Sequence, residues 1–121
     1  MFLLSAVIAA KHMGAERIIA MSRQPQRQEL AREFRATDIV TERGDDSVAK
    51  VKELTGGLGT HSVVEAVGGH YSMMQAIRSA RLGGHVGFVG LNHGVELSGE
   101  ELFFAEVHLL GGPASVRRCL P

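Results

Sequence analysis

What this 121-residue sequence has little of narrows it first. It holds one cysteine, Cys119, so no disulfide can form within the chain. That excludes the bridge-stapled small domains and suits a reducing, cytoplasmic compartment. Charge of neither sign is in excess: Lys+Arg and Asp+Glu each number 13. Such a balance gives neither the basic field of a nucleic-acid binder nor an acidic tail. Long hydrophobic runs are missing as well. The most apolar stretch, Met1 to Ala10, meets Lys11 too soon to span a membrane, and it lacks the basic lead-in of a secretory signal. The six histidines, at 12, 61, 70, 85, 93 and 108, never pair at i, i+3 or i, i+4, and Cys119 has no histidine beside it. No metal ligand and no catalytic residue are assigned on such scattered positions. Proline is scarce at three, but glycine is plentiful at 15, which points to tight turns between short elements.

What is present reads as one domain, residues 1–121, small for a complete enzyme. Phe2, Leu3, Ala6, Val7, Ala10 and Met13 recur at helical spacing, with Gly14 where a helix C-terminus wants it. A strand follows at Arg17 to Met21, then a helix over Gln26 to Phe34 with Leu30 and Phe34 on its inner face. A second strand is expected at Asp38 to Thr41. Asp45 and Asp46 are placed to cap a helix striped by Val48, Val51 and Leu54. The third strand, His61 to Gly68, is rich in small apolar residues, as one covered on both faces would be. A stripe of Met73, Ala76, Ile77 and Ala80 predicts a helix stopped by Gly83-Gly84, with Met73-Met74 in its core. A fourth strand spans His85 to Gly90. Glu100 to Phe104 makes a helical turn, Val107 to Leu110 a last strand, and Val116 to Leu120 the start of a helix. Strands and helices alternating in this way imply a doubly wound α/β fold with a parallel sheet.

In such folds the carboxyl end of a strand is where a dinucleotide's adenosine ribose lies. The strand ending at Met21 is followed by Ser22 and Arg23, where an Asp or Glu would accept hydrogen bonds from the ribose 2′-OH. A guanidinium instead offers a fork of donors to a phosphate, with Ser22 as a neutral neighbour. If this is a dinucleotide site, it prefers NADP to NAD. A solvated turn before Pro25 is the other reading of the same residues.

Several runs resemble one family. Ala9 to Arg23 is similar to the cofactor domain of zinc-dependent alcohol dehydrogenases, in the medium-chain dehydrogenase/reductase family. Glu33-Phe34-Arg35-Ala36-Thr37-Asp38 resembles that family's E-F-G-A-T-D, with Arg35 in place of the glycine. Thr55 to Gly59, Glu65-Ala66-Val67-Gly68, Gly83 to Gly90 and His108 to Gly112 match in the same order. The resemblance implies a Rossmann-like domain. In the family a first strand and a G-x-G-x-x-G loop hold the pyrophosphate. Aligned through Val7 to Lys11, the third glycine falls at Leu3, and the first two glycines and their strand fall before Met1. Ser22 then lies 19 residues after Leu3, near the offset of about 20 expected for the ribose position. That absent strand is the central one in the order 3-2-1-4-5-6, so the pair at 18–21 and 38–41 is expected to lose its lateral partner. The catalytic half, where zinc would sit, is outside these residues too.

The resemblance also implies a set of cofactor contacts. Ser22 and Arg23 would take the 2′-phosphate, with Arg27 as a weaker second partner. Val67, Gly68, Val89, Gly90 and Leu91 would lie against the nicotinamide ribose and ring, although glycines there also simply end strands. Gly112, Pro113 and Ala114 would face the carboxamide or form a plain turn. Glu65, with no base beside it, reads as a hydrogen-bonded structural carboxylate. An apolar edge at Val107 to Leu110 invites pairing into a homodimer. The reading is thus part of an NADP(H)-preferring, zinc-type alcohol dehydrogenase, not catalytic alone. A non-catalytic α/β interaction or dimerisation module is the alternative. A Rossmann-like methyltransferase is third.

Overall fold

The computed structural model describes residues 2–89 and 91–113. Gly90, Ala114, Cys119 and the helix expected from Val116 lie outside the described residues. The chain divides into two compact units, Met1–Gly57 and Leu58–Pro121. No helix among the described residues is long and apolar enough to cross a membrane.

The first unit runs α1 (Phe2–His12), β1 (Ile19–Met21), α2 (Pro25–Glu33), β2 (Asp38–Val40) and α3 (Gly44–Leu54). β1 and β2 pair in parallel as a two-stranded sheet, Ile19 opposite Asp38 and Met21 opposite Val40. Neither strand pairs with any other among the described residues. α1 ends where Ala15 N–H bonds back to the Ala10 carbonyl and Gly14 N–H to that of Lys11, the double bond of a Schellman end. Its inner face is not the whole predicted stripe. Val7 is buried and Leu4 and Ala10 pack beside it, but Met13 lies past the helix end and is 85% exposed.

On α2 it is Ala31, not Leu30, that is sealed in the core with Ile18 and Ala20. Two alanines facing one another let helix and strand approach closely, and the neighbouring Leu30 is turned about 100° away toward solvent. α3 buries Val51 and Ser47. Ser47 donates its hydroxyl to the Gly44 carbonyl. Asp45 and Asp46 occupy the first turn rather than capping it, for the residue at the cap is Arg43. Two acids there still suit the positive end of the helix.

The run Glu33 to Asp38 acquires a physical meaning here. Arg35 takes a left-handed backbone, φ 83°, while Ala36 N–H reaches the Ala31 carbonyl to close α2. Thr37 Oγ1 then accepts the Ile18 N–H at 2.9 Å, and Asp38 pairs with Arg17 at 3.3 Å. The turn thereby sets the start of β2 beside the start of β1.

The second unit runs β3 (Thr60–Glu65), α4 (His70–Ser79), β4 (Ala80–Phe88), α5 (Gly99–Ala105) and β5 (His108–Gly111). All pairings are parallel, in the order β3-β4-β5. Met73, Ala76 and Ile77 of α4 bury against Val86, joined by Val63, Leu109 and, from α5, Leu102 and Ala105. Met74 is buried as well. Ala80, expected in the helix, already begins β4, so the helix stops at Ser79 without waiting for Gly83-Gly84. The expectation that β3 is covered on both faces fails. Val63 packs inward, but Val64 is 55% exposed, and Leu110, two strands across on that face, is 77% exposed. Parallel sheets flanked by helices make the α/β, Rossmann-like architecture.

Candidate functional site

In the first unit the carboxyl end of β1 leads directly into Ser22, Arg23 and the start of α2. Ser22 is tied on three sides. Its N–H donates to the Val40 carbonyl at 3.1 Å, its carbonyl accepts from Gln28 Nε2 at 2.8 Å, and its Oγ accepts the Gln24 N–H at 3.2 Å. That leaves the hydroxyl proton free to donate. Arg23 is exposed and has no partner among the described residues. Arg27 stands exposed on α2. A held hydroxyl next to an unpaired guanidinium can receive a dianion.

In the second unit the register brings three strand ends level: Glu65 opposite Phe88, and Phe88 opposite Gly111. Val67, Val89 and Gly112 therefore leave the sheet at one rim. Val67 is 81% exposed, Leu91 79% and Val89 49%, so the rim carries apolar side chains on offer. Gly112 and Pro113 are exposed there too. Gly68 is buried at φ +88°, and a Cβ on it would lie 2.7 Å from the Leu91 carbonyl oxygen. The Gly68 carbonyl in turn accepts the His93 N–H at 3.0 Å. Thus two of the residues expected around a nicotinamide, Gly68 and Leu91, are brought together, while Val89 is held by Glu65, whose carbonyl takes the Val89 N–H at 3.0 Å.

Glu65, read from the sequence as a structural carboxylate, is 2% exposed. Its Oε1 accepts from Val67 N–H at 2.7 Å, Gly68 N–H at 2.9 Å and Ser72 Oγ at 2.7 Å. Its Oε2 is buried with no partner among the described residues. Ser72 was not foreseen. The one signal for it is a hydroxyl in the first turn of the helix after the glycine.

The parallel α/β frame agrees with a family comparison. The family model for zinc-binding dehydrogenases matches residues 4–115. The chain belongs to that family. Sorbitol dehydrogenase of Bacillus subtilis is 36% identical over 88 residues, covering 73% of this chain and 25% of that protein. The NADP-dependent isopropanol dehydrogenase of Entamoeba histolytica is 30% identical over 114 residues, covering 90% of this chain and 31% of that one. Among solved structures, 2R,3R-butanediol dehydrogenase from Bacillus subtilis superposes with a TM-score of 0.81 at 30% identity, covering 89% of this chain and 31% of that one. The chain thus spans about a quarter to a third of the length of these zinc-binding dehydrogenases, and the part it matches is their cofactor-binding domain.

The family's metal does not fit the described residues. Among them no group of three or more His, Cys, Asp or Glu is placed to hold an ion. Three histidines that are scattered in sequence do meet across the sheet. His61, His85 and His108 stack with ring centroids 5.6 Å and 4.4 Å apart. They present ring faces to one another, and strand pairing alone brings them together.

Proposed function

We propose that this chain is part of one dinucleotide-binding domain and that it takes NADP(H) in preference to NAD(H). Arg23 carries that reading: an exposed guanidinium without a partner, next to a tethered Ser22, at the carboxyl end of a parallel strand. The similarity to a dehydrogenase described as NADP-dependent supports it. The apolar rim of the second unit suits the nicotinamide half, with Val67, Val89, Leu91, Gly112 and Pro113 lining it and Gly68 shaping its turn. When bound, the nicotinamide supplies a hydride acceptor or donor. In the whole protein the reaction is hydride exchange between the nicotinamide and an alcohol or carbonyl compound. The chain by itself is not catalytic, and measurable alcohol oxidation by the pure polypeptide would refute that statement.

Titration with NADPH and NADH, followed by nicotinamide fluorescence, tests the preference. Arg23→Ala is expected to weaken NADPH by about tenfold, the loss of a charge-assisted bond to phosphate, and to leave NADH unchanged. Equal affinity of the unaltered chain for the two cofactors would sink the preference, and no binding at millimolar cofactor would sink the reading. That last outcome favours a non-catalytic interaction module, to which the exposed, edge-to-face pair Phe103–Phe104 on α5 would lend itself. We also infer that β5, an outer strand of its sheet, pairs with a second copy of the chain.

A further inference from the structure

A carboxylate at 2% exposure is costly unless its oxygens are used. Glu65 uses one of them three times over and holds the other without a donor among the described residues. The three bonds are not spread along the strand. They join the end of β3 to two consecutive amides of the following turn and to the first turn of α4. The same turn carries Gly68, whose carbonyl holds His93 N–H and whose Cα faces the Leu91 carbonyl. The Glu65 backbone carbonyl holds the end of β4 through Val89 N–H. A single residue therefore connects every described segment assigned to the nicotinamide half except Gly112 and Pro113. It also ties the start of α4 to the end of β3, through the Ser72 hydroxyl.

We propose that Glu65 is a positioning residue for the nicotinamide half of the cofactor, acting through the backbone of Val67 and Gly68 and not by touching the cofactor. This rests on the cofactor reading above. The carboxylate pulls two successive N–H groups inward, which turns Val67 outward at the rim and keeps Gly68 against Leu91. Without that acceptor the turn has two amides, that of Gly68 buried, and one hydroxyl to satisfy elsewhere. The rim would then lose its shape while the first unit, with Ser22 and Arg23, stays as it is.

The test compares two ligands on the 121-residue chain: NADPH, and 2′,5′-ADP, which is the adenosine half alone. Glu65→Ala is expected to weaken NADPH by about tenfold or more, the scale of one charge-assisted hydrogen bond, and to change 2′,5′-ADP by less than about twofold. Glu65→Gln, which still offers an oxygen to the three donors, should recover most of the NADPH affinity. Ser72→Ala removes one of the three bonds and should give a smaller loss, about threefold, of NADPH only. Amide exchange of Val67 and Gly68, read by ¹⁵N NMR without any cofactor, should quicken in Glu65→Ala and Ser72→Ala while amides of the first unit are unchanged. Parallel loss of both ligands in Glu65→Ala and Ser72→Ala would overturn the proposal, since the residue would then only be holding the fold. Unchanged NADPH binding in both variants would overturn it as well. If the unaltered chain binds neither ligand, the cofactor reading itself fails and this inference falls with it. Binding of 2′,5′-ADP as tightly as NADPH refutes the positioning role and leaves the phosphate site standing.

Discussion

Placing a methyl group on Gly68 separates backbone strain from a steric clash at the rim, provided a second glycine serves as the reference. Gly83 lies in the same unit at φ +75° with open space around its notional Cβ, whereas Gly68 at φ +88° would put that atom 2.7 Å from the Leu91 carbonyl oxygen. Both substitutions to alanine carry the left-handed cost of about 1–2 kcal/mol. Both recover about 0.4–1 kcal/mol because alanine restricts the unfolded chain. Gly83→Ala should therefore destabilise by about 1 kcal/mol. Ordinary contact begins at 3.4 Å, so at Gly68 the two segments must also part by about 0.7 Å, an overpacking that costs about 1–3 kcal/mol. The Leu91 carbonyl does not move freely, because His93 N–H is bonded to Gly68 O at 3.0 Å and shifting one strains the other. A total of about 2–4 kcal/mol is expected for Gly68→Ala. In urea unfolding with a slope of about 2 kcal/mol/M, its midpoint should fall about 1 M below that of Gly83→Ala. Equal midpoints for the two variants would refute the close approach at Gly68, and with it the account of why a glycine stands there.

Arg35→Gly should stabilise the chain by about 0.5–1 kcal/mol, because the exposed arginine stands at φ 83° where glycine is unstrained; a lower thermal midpoint in the variant would contradict this. Sedimentation across concentrations should show a dimer that Leu110→Lys disperses with no loss of unfolding midpoint, since Leu110 is 77% exposed on the outer strand and an edge charge opposes pairing. A wild-type chain that stays monomeric at every concentration would remove the dimer.

Sequence periodicity by itself determined the alternation of helices and strands, because helix and strand patterns are set by residues a few positions apart. The same local logic placed Ser22 and Arg23 at a strand end, and a run of motifs was enough for the family. On the inner face of α2 it was right about Phe34, which packs on the core, and wrong about Leu30. Leu30 is the more apolar residue, yet the close approach of Ala20 and Ala31 sealed the smaller one inside. It did not decide what lies against β3, where Val64 and Leu110 share an exposed face.

Tertiary structure alone levelled Glu65, Phe88 and Gly111 at one rim and stacked three distant histidines. The physical reason is that strand register and crossover packing are contacts between segments far apart in the chain. No window of neighbouring residues contains them. Local chemistry thus supplied the parts of a cofactor domain, and only the pairing of its strands set which of those parts touch.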